Sequence, residues 1–242
     1  MILVVIYVND IFMRITIPTD LSDIKLNQYL RYSKVLQDNQ DDETFIAIQM
    51  VSIFCNLKID DVMKIPAFDF AEIIEQIGNV LKQKPALVKS LKLNGVKYGF
   101  VPNFDEESIG TFAYIDTHLG NEDNWTKLMS AMYRPITKQV GKFYEIEGFQ
   151  GDKFAEEFSE ITMDCVIGAI VFFWTLKIEL MNNILDYSDN LIRKNNNSEV
   201  AEVLAKGGAG IIQLSKLREE IILTLNEWNR QTFITRLPSF CI

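Results

Sequence analysis

The chain has 242 residues, 48% of them hydrophobic and 24% charged, and its 24 Lys and Arg against 33 Asp and Glu give a net charge of −9. So much apolar side chain excludes a disordered chain, and the lack of any basic block argues against gripping nucleic acid through its phosphates. Cys55, Cys165 and Cys241 are odd in number and far apart, which excludes a disulfide scaffold and points to a reducing compartment.

Residues 1–8 are apolar throughout, with neither the cationic stretch nor the small-residue cleavage site of a secretory leader, and they are too short to cross a bilayer. A strand that pairs with something is expected. Met13 offers a second start, so residues 1–12 read as an N-terminal extension or pairing strand. Residues 14–17 form a short strand stopped by Pro18, and the small polar residues of 19–23 supply a helix cap.

Leu26, Tyr29, Leu30, Val35 and Leu36 then follow helical spacing. The polar run 38–43 is a loop whose acids suit the start of a helix over 43–55, broad in its apolar face. A short helix follows near 60–63. After Pro66, Phe70, Ile73, Ile74, Ile77, Val80 and Leu81 form one stripe in steps of three and four, and Pro85 ends the segment.

Asn94-Gly95 sits between Leu91-Lys92-Leu93 and Val96-Lys97-Tyr98. Both positions of a tight two-residue turn need positive φ, so residues 88–101 are read as a β-hairpin closed by Pro102. A helix over 105–119 ends at Gly120, and a second over 125–132 is interrupted by Pro135. Tyr133, Arg134 and Pro135 form a compact junction in which Arg134 pairs with an acid or stacks on an aromatic. Residues 143–146 read as a short strand and 153–158 as a brief amphipathic turn.

The longest helix is expected over 163–193, with Asp164 in its first turn and Arg193 and Lys194 at its end, as the macrodipole favours. Its stretch 165–176 is apolar on nearly every side, but twelve residues with charged flanks fall short of a membrane span, which needs about 20. The second half thins out and is read as projecting. Asn195 to Ser198 stop the helix, 199–206 is a short helical piece, and Gly207-Gly208-Ala209-Gly210 is a flexible break before an amphipathic helix over 211–228.

The expected fold is therefore mainly α with a small β component, an α+β chain with a helical core around one long central helix, one β-hairpin and short N-terminal strands. Residues 13–206 make the main helical domain, containing the hairpin 88–101, and 207–242 are a hinge plus a C-terminal amphipathic helix.

Bond-making chemistry has little to build on. His118 is the only histidine, so a His-rich metal site is excluded and any Ser–His or Cys–His pair is weakened. No Cys-x-x-Cys pair exists for zinc. The 207–210 glycines match neither a Walker loop nor a dinucleotide fingerprint, because a helix rather than a strand precedes them. Carboxylates cluster at Asp60-Asp61, Asp105-Glu106-Glu107 and Glu156-Glu157, yet they lie in polar turns and read as solvated charge rather than a metal-dependent nuclease. Phe172-Phe173-Trp174 lies in the most apolar part of the chain, without cations, and reads as core rather than a base-stacking platform. Glu179 is the one acid inside that helix and needs a partner or a rim position. No catalytic, cofactor-binding or metal-binding residue is therefore assigned, and no cofactor is expected.

Residues 15–29, 93–103, 129–136 and 168–173, which begin Ile15-Thr16-Ile17-Pro18, Leu93-Asn94-Gly95, Met129-Ser130-Ala131 and Gly168-Ala169-Ile170, carry a resemblance as a set. Within residues 13–185 the chain resembles small virion or assembly proteins of tailed bacteriophages of the crAss-like type. The resemblance implies a noncatalytic structural subunit, a ring or connector protein of the portal–tail assembly. The alternative is a tail assembly chaperone absent from the mature virion, and a metal-dependent nuclease is a third, lesser reading. Implied partners are other phage structural proteins and further copies of the chain in a ring, with no sequence-specific nucleic-acid binding and no membrane. The implied location is the virion, after assembly in the host bacterial cytoplasm. An acidic lumen would let DNA slide without sticking, and strand addition through residues 2–8 is a means of reaching a neighbour.

Overall fold

A computed structural model describes residues 1–8, 11–39, 41–194 and 215–223, with side chains described outside 6–8, 11 and 188–194. The fold is mainly helical with two small antiparallel sheets. Among the described residues, those up to Ala169 form one compact unit and those from Ile170 a second.

The first unit opens with a hairpin of β1 (Ile2–Val8) and β2 (Ile11–Ile17), paired from Ile2 opposite Ile17 to Val8 opposite Ile11. Pro18 ends β2, and Asp20 caps a single 3-10 turn through the backbone N–H of Ser22. Helix α1 (Leu26–Asp38) buries Leu26, Tyr29 and Tyr32. Asp42 accepts from the Phe45 N–H at 2.9 Å and so satisfies one of the open donors at the start of α2 (Glu43–Phe54). The short α3 (Ile59–Val62) leads to α4 (Ala67–Leu81), where Ile73, Ile74, Ile77, Val80 and Leu81 are buried as the stripe predicted.

Strands β3 (Ser90–Leu93) and β4 (Val96–Phe100) meet at Asn94-Gly95, whose φ angles of 48° and 86° are both positive, as the turn requires. Helices α5 (Ile109–Leu119) and α6 (Trp125–Met132) follow. Ser108 caps α5 by accepting from the Thr111 N–H. Almost all of α6 is core: Trp125, Leu128, Met129, Ala131 and Met132 are at most 1% exposed, and the Trp125 ring stacks on Tyr29 of α1 at 5.6 Å.

The chain after α6 departs from the sequence expectation. Pro135 does not break the segment into a junction. Residues Tyr133–Val140 form strand β5, which joins β4 on one side and β6 (Phe143–Ile146) on the other in a sheet of order β3-β4-β5-β6. Register explains how a central strand accommodates a proline. Hydrogen-bonded pairs alternate in antiparallel ladders, and Val101 N–H donates to the Met132 carbonyl. Pro135, three residues on and opposite Tyr98, therefore falls at a pair that exchanges no bond with β4. Its carbonyl accepts from the Glu147 N–H at 2.9 Å, just past the end of β6, so its missing donor costs the ladder nothing in the middle.

Helix α7 runs over Met163–Lys194, one residue beyond the predicted end. Its start is held by a local clamp: Leu26 N–H donates to the Ile161 carbonyl, Met163 N–H to the Ile24 carbonyl, and Lys25 bridges Thr162. Gly168 lets the helix pass close to the chain at Ala86, whose carbonyl oxygen would lie 2.7 Å from an added Cβ. In the second unit, Met181 of α7 and Ile221 of a helix over 215–223 are buried, and Arg218 donates to the Asn182 side chain at 3.1 Å. Glu179 is exposed, the rim position its charge demands. The breaks expected at 195–198 and 207–210, the helical piece 199–206 and the ends of the 211–228 helix lie outside the described residues.

Candidate interaction surface

The N-terminal strand is apolar at every position, a pattern that belongs to strands covered on both faces. In the structure one face is covered on β2 and only partly on β1, where Ile2 is still 51% exposed. Cross-strand partners share a face, so Val4 stands with Ile15, and Ile2 with Ile17; Ile15 and Ile17 are buried. The opposite face carries Leu3 at 58% exposure, Val5 at 52% and Phe12 at 71%, with Arg14 and Thr16 beside them. The expected pairing strand is thus half-satisfied within its own chain: β2 takes one edge, and among the described residues nothing pairs with the other.

Behind the hairpin lies a groove of about 390 Å³ against α4. Ile2, Val4, Ile17 and Ile73 line it with apolar surface, while Asp69, Glu72 and Glu75 stand on the helix side. A smaller cleft of about 250 Å³ lies beside α1, where Ser33, Lys34 and Gln37 face Asn121, Glu122 and Asp123. Glu122 is already engaged there. It accepts from the Ser33 hydroxyl at 2.5 Å and the Tyr29 phenol at 3.3 Å, and so ties α1 to the turn before α6. Burial, reinforced by the Glu122 charge, holds the Tyr29 phenol well above its usual range.

The polar residues singled out in the sequence take structural places. Arg134, 4% exposed on β5, forms an ion pair with Glu107 across the entry to α5, the acid partner its position called for. Its neighbour Tyr133 donates to the Val88 carbonyl at 2.7 Å. Of the acid clusters, Asp61 pairs with Lys64 at 2.8 Å and Glu157 accepts from Tyr98 at 2.8 Å. Among the described residues no three His, Cys, Asp or Glu come together in a way that could hold a metal ion.

His118 sits in the last turn of α5, stacked on Tyr114 with ring centres 4.2 Å apart and its Nδ1 2.7 Å from the Tyr114 carbonyl. The Tyr114 phenol bonds Asp152, which Lys127 also approaches at 3.5 Å. This small cluster joins α5 and α6 to the turn at 151–154, and sequence spacing gave no sign of it. Burial pushes the thiols of Cys55 and Cys165 up to about 12, which leaves both protonated and unreactive at neutral pH. Cys241 and the 207–210 glycines lie outside the described residues. No described helix is long and apolar enough to cross a membrane. Comparison with protein-family models, with curated proteins and with solved structures found no match.

Proposed function

We propose that this protein works through contact surfaces, as a noncatalytic ring or connector subunit in the portal–tail assembly of a tailed phage particle. The N-terminal hairpin carries the reading. A two-stranded ribbon is marginal in water by itself, and one with an open edge and an apolar outer face is a template for another chain. Leu3 and Val5 are more than half exposed on that face. Covering them contributes on the order of 1 kcal/mol each from the area still exposed. The resemblance within residues 13–185 is what narrows a contact protein to a phage subunit.

Removal of residues 1–12, or the single change Val5→Lys, is expected to reduce the mass of the native protein in light scattering while its helical circular dichroism persists. An unchanged mass sinks the hairpin as the contact. The same apolar face would serve a chaperone that shields a tail protein during assembly. Mass spectrometry of purified virions separates the two, since a subunit is retained in the particle and a chaperone is absent from it.

A further inference from the structure

We infer that the groove between the N-terminal hairpin and α4 seats residues 229–242 of a neighbouring copy. Resting on the ring-subunit reading, this docking adds a second contact between subunits to the one at the outer hairpin face. The floor of the groove is apolar, from Ile2, Val4, Ile17 and Ile73, and its rim carries Asp69, Glu72 and Glu75 with no cation among the lining residues. No Lys or Arg occurs anywhere in α4, and among the described residues none of these three carboxylates forms an ion pair. Acids spaced three apart on a helix repel one another. Such a row beside an apolar trough complements an apolar segment that carries cations.

Residues 229–242 have that chemistry. Arg230 and Arg236 are their only charged residues, Phe233, Ile234, Leu237 and Phe240 are apolar, and no acid occurs among them in a chain of net charge −9. Residues 76–104 and 124–144 are also cationic and free of acid, but they lie among the described residues, largely in helices and strands, whereas 229–242 lie outside the described residues. Symmetry favours a neighbouring copy. Hairpin faces packed on each other are self-complementary and stop at a dimer. A segment of one copy in the groove of the next is a heterologous contact, which propagates and forms a ring where the rotation between copies closes.

The test is charge exchange in the full chain. Glu72→Lys with Glu75→Lys, and separately Arg230→Glu with Arg236→Glu, are each expected to bring the light-scattering mass down toward a single copy. Both pairs combined are expected to restore it. Glu72 and Glu75 are exposed, so the fold should persist, and circular dichroism checks that it does. An oligomeric parent whose mass neither pair changes, or a loss that the combined variant does not recover, overturns the docking and leaves the ring reading standing. A parent that is already a single copy at millimolar concentration overturns both.

Discussion

At the scale of single residues, the least replaceable groups are those whose partners come from distant parts of the chain. Arg134 is almost fully buried and its charge is met by Glu107. Removing one partner of a buried pair leaves an uncompensated charge, which costs about 3–5 kcal/mol, whereas replacing both with apolar side chains of similar size is often near neutral. Glu107→Ala is therefore expected to lower the urea midpoint far more than Arg134→Met combined with Glu107→Leu. Equal losses would show that the pair contributes geometry rather than charge compensation. Gly99 on β4 is constrained in another way. A Cβ there would stand 2.8 Å from Cδ2 of the Tyr144 ring, and that ring is anchored because its phenol donates to the Phe100 carbonyl, with the Lys89 carbonyl also within reach. Gly99→Ala is expected to cost about 1–3 kcal/mol, the range for overpacking, read as a drop in thermal midpoint. Tyr144→Phe in the same background should recover part of it by freeing the ring.

At the scale of elements, apolar spacing made the helices legible. The stripe from Ile73 to Leu81 and the run from Met163 fix α4 and α7 because burial repeats at the helical period. The β3–β4 turn was legible because few sequences other than Asn-Gly tolerate two positive φ values. Gly95 has nothing within 4 Å of an added Cβ, so Gly95→Val should cost more than about 1 kcal/mol through backbone strain alone. Hydrogen exchange on β3 and β4 should report the loss, and unchanged protection there would show that the turn does not set the register. Strand β5 was not legible. Pro135 normally marks a break, and only the alternation of the β4 ladder, 35 or so residues away in the chain, supplies a position where a missing N–H is harmless. The pairing of β1 with β2 was also hidden, since Asn9-Asp10 lacks the glycine of the usual hairpin signal. The groove was beyond reach of sequence because its walls are the N-terminal hairpin and α4, elements that no local pattern joins.

At the scale of the whole molecule, acidity governs both solubility and folding, but over different ranges of pH. The sequence pI is about 4.8, and near that pH copies lose the mutual repulsion that a net charge of −9 gives them at neutrality. Association through apolar surface should therefore peak there. The fold responds lower down. Burial works to raise the Asp23 carboxyl, but hydrogen bonds from the terminal amine, the Thr19 and Asp20 backbone and the Thr19 hydroxyl outweigh it and hold the group below its ordinary 3.8. The Tyr114 phenol does the same for Asp152, with Lys127 assisting, and Lys64 for Asp61. A carboxylate depressed in the folded state contributes stability that is fully present above its unfolded value and is lost as pH falls through the folded one. These contributions are thus intact at pH 4.8 and fade only below about 3.8. A titration from pH 7 to 2.5 is expected to show light scattering rising near 4.8 with helical circular dichroism unchanged, and the dichroism falling only at lower pH. Asp23→Asn should leave the first event in place and make the second shallower. Helical signal lost at or above pH 4.8 would mean that unfolding, rather than contact between folded copies, drives the association.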